Sequence, residues 1–469
     1  MMKRLFFFCT IASMLLMACS DDDKFSADSG NKLNFSVDTL TLDTLFSQVP
    51  SSTYNFWVFN HSSSGIRIST VRLERGVQSG FRVNVDGTFL NPVGSDFEVR
   101  KGDSIRVFVE VTTRENHADE PQLVEDNLLF TLESGVVQRV NLRTYSWDAM
   151  KYNGLVVRSD SLIESSQPIV IYDSLRVDSG CTLTILNTTL YFHSNAGIKA
   201  YGQLNAINSV FRGDRMDHMF DYLPYDRVNG QWKGIDIKRT SGLNIFMNCE
   251  IRNAMDGIRC DSTKLRMDSC KVHNSRGDGL SSYNSFIYLD QCQFTNSLGD
   301  CVTVKGGTAQ IDHCTLAQFY PFSANRKAAL RFSNTNIDLN LSCKNTLITG
   351  YEADVLMAEE KEKKNEKDTT KVGAFSFHFK NCILRTDSVD DERLENIIWE
   401  TPKDSVEGKK HFRVFDEENL YYDFTIDSIS PAFARGIGAL ELGGRKAARR
   451  RNVQRSISFP SRSKAFHTE

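Results

Sequence analysis

The sequence has no C-x-x-C pair, although it carries 11 cysteines. That absence removes zinc-ribbon and thioredoxin-type readings, which need closely spaced thiols. Beyond the first twenty residues it also lacks any run of about 18 apolar residues, so no later segment reads as a membrane-spanning helix. Charge of one sign is nearly absent as a net quantity, −3 at pH 7. The local exception is the end, where Arg445 to Glu469 holds eight Lys/Arg and one acid. Residues 443–469 have no apolar periodicity and read as a disordered basic tail. Nothing in this balance calls for a nucleic-acid partner.

What is present begins with a targeting segment. Lys3 and Arg4 precede a short apolar run from Leu5 to Ala18, which ends in Leu16-Met17-Ala18-Cys19. Those four residues resemble a bacterial lipoprotein box, and Ser20-Asp21-Asp22-Asp23 resembles the acidic export signal of Bacteroidetes-type surface lipoproteins. The resemblance implies cleavage before Cys19, acylation of its thiol, and an outer-membrane protein facing the cell exterior. Contact with the membrane is then through the lipid anchor alone. Residues 20–31 read as a linker.

Residues 32–147 alternate apolar and polar side chains in short runs such as "YNFWVF", "FRVNV" and "SIRVFVEV", punctuated by Gly, Asn, Asp and Ser. This pattern predicts an antiparallel β-sandwich. It resembles the immunoglobulin-like modules that precede larger domains in surface lipoproteins, and implies a spacer without a site of its own.

Residues 148–442 repeat. Cys249, Cys270, Cys292 and Cys314 recur at intervals of 21, 22 and 22 residues. Thr188, Ser209, Thr346 and Cys382 fill the same slot in other repeats, and the position two residues later is always apolar. A ladder of constant spacing with fixed inward positions is the signature of a solenoid. Three short strands in about 22 residues make one coil of a parallel β-helix. The segment resembles the right-handed parallel β-helix of pectate lyases and polygalacturonases. Asn187, Asn208, Asn248, Asn345 and Asn381 precede the slot and look like that family's asparagine ladder. Asparagine tolerates the left-handed backbone of a tight turn, and stacked amides bond to one another. The slot cysteines are expected as free, buried thiols, because parallel Cβ vectors fit a disulfide torsion badly. The fold class is therefore all-β: a sandwich, then a right-handed parallel β-helix, in a chain expected to be a monomer.

Alternation puts Lys199, Asp236, Arg259, Ser281, Thr303 and Arg331 on one outward stripe of first strands. In proteins of the resembled family that face lines the substrate groove, which makes Lys199, Asp236 and Arg259 candidate catalytic residues. The family's Asp-His pair and Arg-x-Pro-x-x-Arg run are missing, so no catalytic role is carried over. Asp256, Asp278 and Asp300 lie 22 residues apart in the turns leading into this face. Three readings of them stand: Asx-type turns, oxygen ligands for calcium, or catalytic acids. Arg276-Gly277-Asp278 is one instance of this turn and not an adhesion signal.

Two longer loops carry rings suited to the C–H faces of sugars. Phe220, Tyr222, Tyr225 and Trp232 stand in one, Phe319 and Tyr320 in the other. The expected partner is a polysaccharide, bound by a glycan-binding or adhesion module. A polysaccharide lyase or glycoside hydrolase, and a ligand-free stalk, are the rival readings.

Overall fold

A computed structural model describes residues 24–220, 222–240, 242–362, 371–400 and 408–439. The signal segment with Cys19 and the basic tail at 443–469 lie outside these residues. Two units divide at Asp148/Ala149. None of the helices among the described residues is long and apolar enough to cross a membrane.

The first unit is the sandwich that alternation predicts. One sheet orders Asn34–Phe35, Tyr54–Phe59, Ser104–Val111, Phe81–Val85 and Thr88–Phe89. The other pairs Gln122–Leu132 antiparallel with both Val137–Trp147 and Ile66–Leu73, and adds Val93–Val99 at its far side. In Ser104–Val111, Ile105, Val107, Val109 and Val111 are buried while their neighbours are not, which is the period of two made visible. They share a core with Phe56, Val83, Phe130 and Val140. Gly135, at φ +81°, stands in the turn between Gln122–Leu132 and Val137–Trp147.

The second unit winds 26 strands, from Met150–Val157 to Ile398–Trp399, into one continuous sheet whose long-range pairings are parallel. The predicted inward column is observed residue by residue. Ile185 pairs with Ala206, then Phe246, Met267, Leu289, Ile311, Cys343 and Phe379 follow on successive rungs. Adjacent rungs of a sheet stand about 4.8 Å apart.

The slot has a chemical reason for accepting Cys, Ser or Thr. Each side chain donates to the carbonyl two residues back: Ser209 to Ile207 at 2.9 Å, Thr346 to Lys344 at 2.7 Å, Cys292 to Asp290 at 3.3 Å. The same atom receives a backbone N–H from the preceding rung, as Cys314 Sγ does from Cys292 N at 3.4 Å. A small donor–acceptor group on Cβ satisfies both. All nine cysteines among the described residues are free, and only Cys181 is not buried. Burial pushes the Cys260 thiol far above its ordinary value, consistent with an inert interior group.

The residue before the slot is left-handed on every rung, from Asn187 at φ 50° to Asn396 at φ 53°. Asn208 Nδ2 donates to Asn187 Oδ1 at 3.0 Å, and Asn248 Nδ2 to Asn208 Oδ1 at 2.8 Å. The ladder resumes after Ser269, Gln291 and His313 with Asn345, Asn381 and Asn396.

The last element among the described residues is not a strand: Pro431–Arg435 is a short helix. Ser430 caps it by accepting the N–H of Ala432, Pro431 stands at its start, and Gly436 ends it at φ +66°. Before it, Phe412–Asp416 and Tyr421–Ile426 form an antiparallel hairpin. Phe412, Phe424, Ile426 and Ile437 bury against Ala317, Phe319, Leu347 and Ile383 on the coil. The chain thus leaves the winding after Trp399 and folds back along its third-strand side.

Candidate ligand-binding site

The first-strand stripe forms as alternation requires. Lys199, Asp236, Arg259, Ser281, Thr303 and Arg331 are register partners on successive rungs, with Arg176 before them and Met357 after. Its charges are largely spent within the protein. Asp236 pairs with Lys238 at 2.9 Å, Arg259 with Asp256 at 3.3 Å, and Arg331 with Asp300 at 2.7 Å and with Glu359.

The three turn aspartates stack and bond along the axis. Asp278 Oδ1 accepts the N–H of Asp300 at 3.0 Å, and Asp300 Oδ1 accepts that of Ala328 at 2.7 Å. Burial, followed by the Asp300 and Asp256 carboxylates, raises the Asp278 carboxyl above its usual range. A Cβ at Gly277 would lie 2.1 Å from Asp256 Oδ1, and one at Gly299 2.6 Å from Asp278 Oδ1. The glycines before Asp278 and Asp300 therefore make room for the carboxylate of the rung below, while Asp256, which opens the stack, follows Met255. This is the physical content of Arg276-Gly277-Asp278. Among the described residues, the trio whose ligand atoms all lie within 4.8 Å of one another is Asp290, Asp312 and His313, at the second turn, and not Asp256, Asp278 and Asp300.

The aromatic loops correct the expectation of a ring-walled groove. Trp232 is 1% exposed, stacks on Phe192 at 4.4 Å, and donates Nε1–H to the Arg252 carbonyl at 2.8 Å. Phe319 is fully buried against Tyr351, Phe412 and Phe415 of the folded-back segment and its neighbours. Tyr320 is buried too, and its hydroxyl accepts from Asn229 Nδ2 at 2.7 Å, so the two loops meet. Tyr225 is half-buried beneath the Arg215 guanidinium. A ring with both faces covered presents nothing to a sugar. Phe220 and Tyr222 alone of the six are exposed, stacked on each other at 5.6 Å.

The coil's third-strand face holds a site that the repeat did not announce. Ile251, Val272 and Phe294 point inward, so Glu250, Lys271 and Gln293 form one outward row and Arg252, His273 and Thr295 another. These rows floor a cleft of about 420 Å³. Its walls are Asp226 and Arg227 from the first long loop, Pro321 and Phe322 from the second, and Leu420 to Thr425 from the hairpin. Gln293 Nε2 donates to the Phe424 carbonyl at 3.3 Å and ties hairpin to floor.

The floor is electrostatically ordered. Glu250 accepts from or pairs with His273 Nε2 at 3.1 Å and Arg252 at 3.4 Å. Burial works to raise its carboxyl, but the His273 hydrogen bond and the charges of His273, Arg252 and Lys271 prevail and hold it at about 2. Buried Arg212 pairs with Asp226 at 2.6 Å, and burial followed by the Arg252 charge lowers its guanidinium below the ordinary value. Polar atoms without a hydrogen-bond partner gather here: Asn274 Nδ2, Asn296 Oδ1, Arg252 Nε and the Tyr422 hydroxyl. Asn274 is 7% exposed and Asn296 8%, and both line the cleft. Buried polar groups ordinarily find partners, so these atoms are the least satisfied part of the floor. Tyr421, 54% exposed, stands at the rim beside Arg227.

The family described as right handed beta helix region matches residues 139–316. No curated protein matches. Among solved structures, the catalytic domain of a GH87 alpha-1,3-glucanase in complex with tetrasaccharides is 8% identical over 75% of this chain and 89% of that one, with a TM-score of 0.27. The GH87 alpha-1,3-glucanase from Streptomyces thermodiastaticus is 9% identical over 74% and 89%, at 0.25. A PapD-like domain of human CEP192 is 12% identical over 25% and 87%, at 0.18. Overlaps this loose say nothing of activity. The second unit is a right-handed parallel β-helix.

Proposed function

We propose that the β-helix binds a carbohydrate chain in the cleft between its third-strand face and the C-terminal hairpin. The observation that carries this is a cleft of about 420 Å³ lined by polar side chains, Asn274 and Asn296 among them, with Tyr421 exposed at its rim. Sugars offer hydroxyls to such groups and an apolar face to a ring, here Tyr421 or Phe322. The rest of the chain serves as carrier: a lipid anchor on Cys19 holding the protein on the outer membrane with its β-helix facing outward. Retention on an oligosaccharide array tests the reading. Native protein is expected to retain at least one sugar, and Tyr421→Ala to lose most of it while keeping a native circular dichroism spectrum. Retention of no sugar refutes the proposal and leaves the stalk.

Catalysis has one observation in its favour, the His273–Glu250 pair. A histidine held by an ionised carboxylate is a common general base. Release of reducing ends or unsaturated product from a retained sugar, abolished by His273→Ala, would convert the binding reading into an enzymatic one.

A further inference from the structure

The amino-terminal sandwich, expected as a spacer, has a cleft of its own. On the outer face of its five-stranded sheet, a space of about 480 Å³ has Thr53, Arg82, Asn84, Phe89, Phe108 and Glu110 in its lining. Strand register sets out these side chains. Asn84 pairs with Phe108 on one neighbouring strand and with Phe89 on the other, so an amide stands between two rings in one row. Arg82 and Glu110 are partners in the row beside it. Adjacent strands lie about 4.8 Å apart, so the two ring-bearing positions stand about 10 Å apart. A flat guest over Asn84 would lie about 5 Å from each ring, within the about 4.5–7 Å over which rings make contact. Phe89 is exposed, and Arg106 stands over the Phe108 ring at 5.2 Å.

The polar side of the cleft selects the guest. Glu110 accepts from Arg82 Nη2 at 3.2 Å and from Thr53 Oγ1 at 2.6 Å. The ion pair is open to solvent, its side chains 43% and 40% exposed. Asn84 Oδ1 lacks a partner but is closed off from solvent, so recognition falls to the pair. An apolar partner pressed onto this face would strip water from both charges and return no hydrogen bond. A charged guest would meet one cation and one anion that already answer each other. Neighbouring hydroxyls of a sugar both donate and accept, which suits a guanidinium beside a carboxylate. The sugar's C–H faces suit the rings.

We infer that this face of the sandwich binds a neutral sugar residue, seated between Phe89 and Phe108 with two hydroxyls on the Arg82–Glu110 pair. The site belongs to a different unit from the β-helix cleft and stands whether or not that cleft takes a sugar.

The test adds neutral cello-, xylo-, manno- and galacto-oligosaccharides to the full chain and follows hydrogen exchange peptide by peptide. At least one sugar is expected to protect residues 81–89 and 104–111, the strands that carry the row. Phe89→Ala should weaken that sugar about tenfold, the scale of one stacked ring, and Glu110→Gln about fivefold. Both side chains face solvent, so a native melting curve is expected of each variant. Leu123→Ala removes an exposed apolar side chain from the other sheet and should change nothing. Affinity should hold as salt rises from about 50 to about 500 mM, because no net charge takes part. Protection by sugar at the β-helix cleft alone, or nowhere, overturns the inference. So does a loss on Leu123→Ala as large as that on Phe89→Ala, which marks unspecific apolar contact. A steep fall with salt overturns the neutral assignment. A proline-rich peptide, the rival guest for two rings, overturns the sugar assignment if it protects these strands and no sugar does.

Discussion

Replacing Asn208 by alanine separates two contributions that the asparagine ladder combines. The residue holds φ at 50°, where a Cβ without a polar group is strained. Alanine there costs about 1 kcal/mol more than asparagine, since asparagine is among the few residues that visit this region readily. The substitution also deletes the bond to Asn187 Oδ1 and the acceptor for Asn248 Nδ2. Asn208 is exposed, so each bond contributes at the low end, about 0.5 kcal/mol. The expected loss is about 2 kcal/mol. Asn208→Gly removes the same two bonds without the strain and should cost about 1.5 kcal/mol, the bonds' share plus about 0.5 kcal/mol from the freer unfolded chain. Calorimetry of the full chain should resolve the β-helix transition, where roughly 2–4 °C accompanies each kcal/mol. The alanine variant is then expected about 4–8 °C below native and the glycine variant about 3–6 °C below. If glycine proves as damaging as alanine, or both variants melt with the native protein, the left-handed turn is not what asparagine supplies.

Two other consequences concern the acids. Gly277→Ala drives a methyl into Asp256 Oδ1 and should destabilise by about 1–3 kcal/mol, as overpacking does. Adding Asp256→Ala should recover part of that loss, and strictly additive effects of the pair would refute the collision. Glu250 titrates near 2 when folded, against an ordinary value of 4.5, so its contribution is full above about pH 4.5 and is lost as pH falls toward 2. The side chain is 33% exposed, so solvent screening reduces the nominal shift to about 1 kcal/mol. Native protein should lead Glu250→Gln by that amount in urea unfolding at pH 7, and the gap should have mostly closed by pH 2. A gap undiminished at pH 2 contradicts the ion-pair account.

The coil was legible because its physics repeats. A one-residue slip in any strand would turn an inward Ile251 or Val272 out to solvent, so constant spacing of apolar positions dictates register without other information. The left-handed turn adds a second marker at each rung, and Asn, Ser, Gln and His at that position all take the conformation that asparagine announces. The candidate site was not legible for the opposite reason. It is completed by a hairpin that returns to the coil, Phe424 reaching Gln293 across 131 residues. A contact of that kind leaves no periodicity.

The same return explains why the aromatic loops misled. Phe319 and Tyr320 stand in a turn that repeat logic places on the surface, and a surface ring beside acids suggests sugar. The hairpin's own apolar side, Phe412, Phe424 and Ile426, needed a surface to bury against, and Phe319 with Leu347 and Ile383 provides it. The signal was present in "FRVFDEENLYYDFTI" (412–426), two alternating runs about an acidic turn, which is a hairpin pattern within a chain of parallel coils. An antiparallel pair cannot join the winding, so it must pack on the outside of it. The third-strand face is where outward Leu347 and Ile383 are apolar on successive rungs, following Thr315 in the row of Gln293, with Ala317 in the row beside it. Where that apolar row gives way to Gln293, Lys271 and Glu250, the hairpin has no apolar partner, and its tip stands over a polar floor. The boundary between those two halves of one outward row creates the cleft.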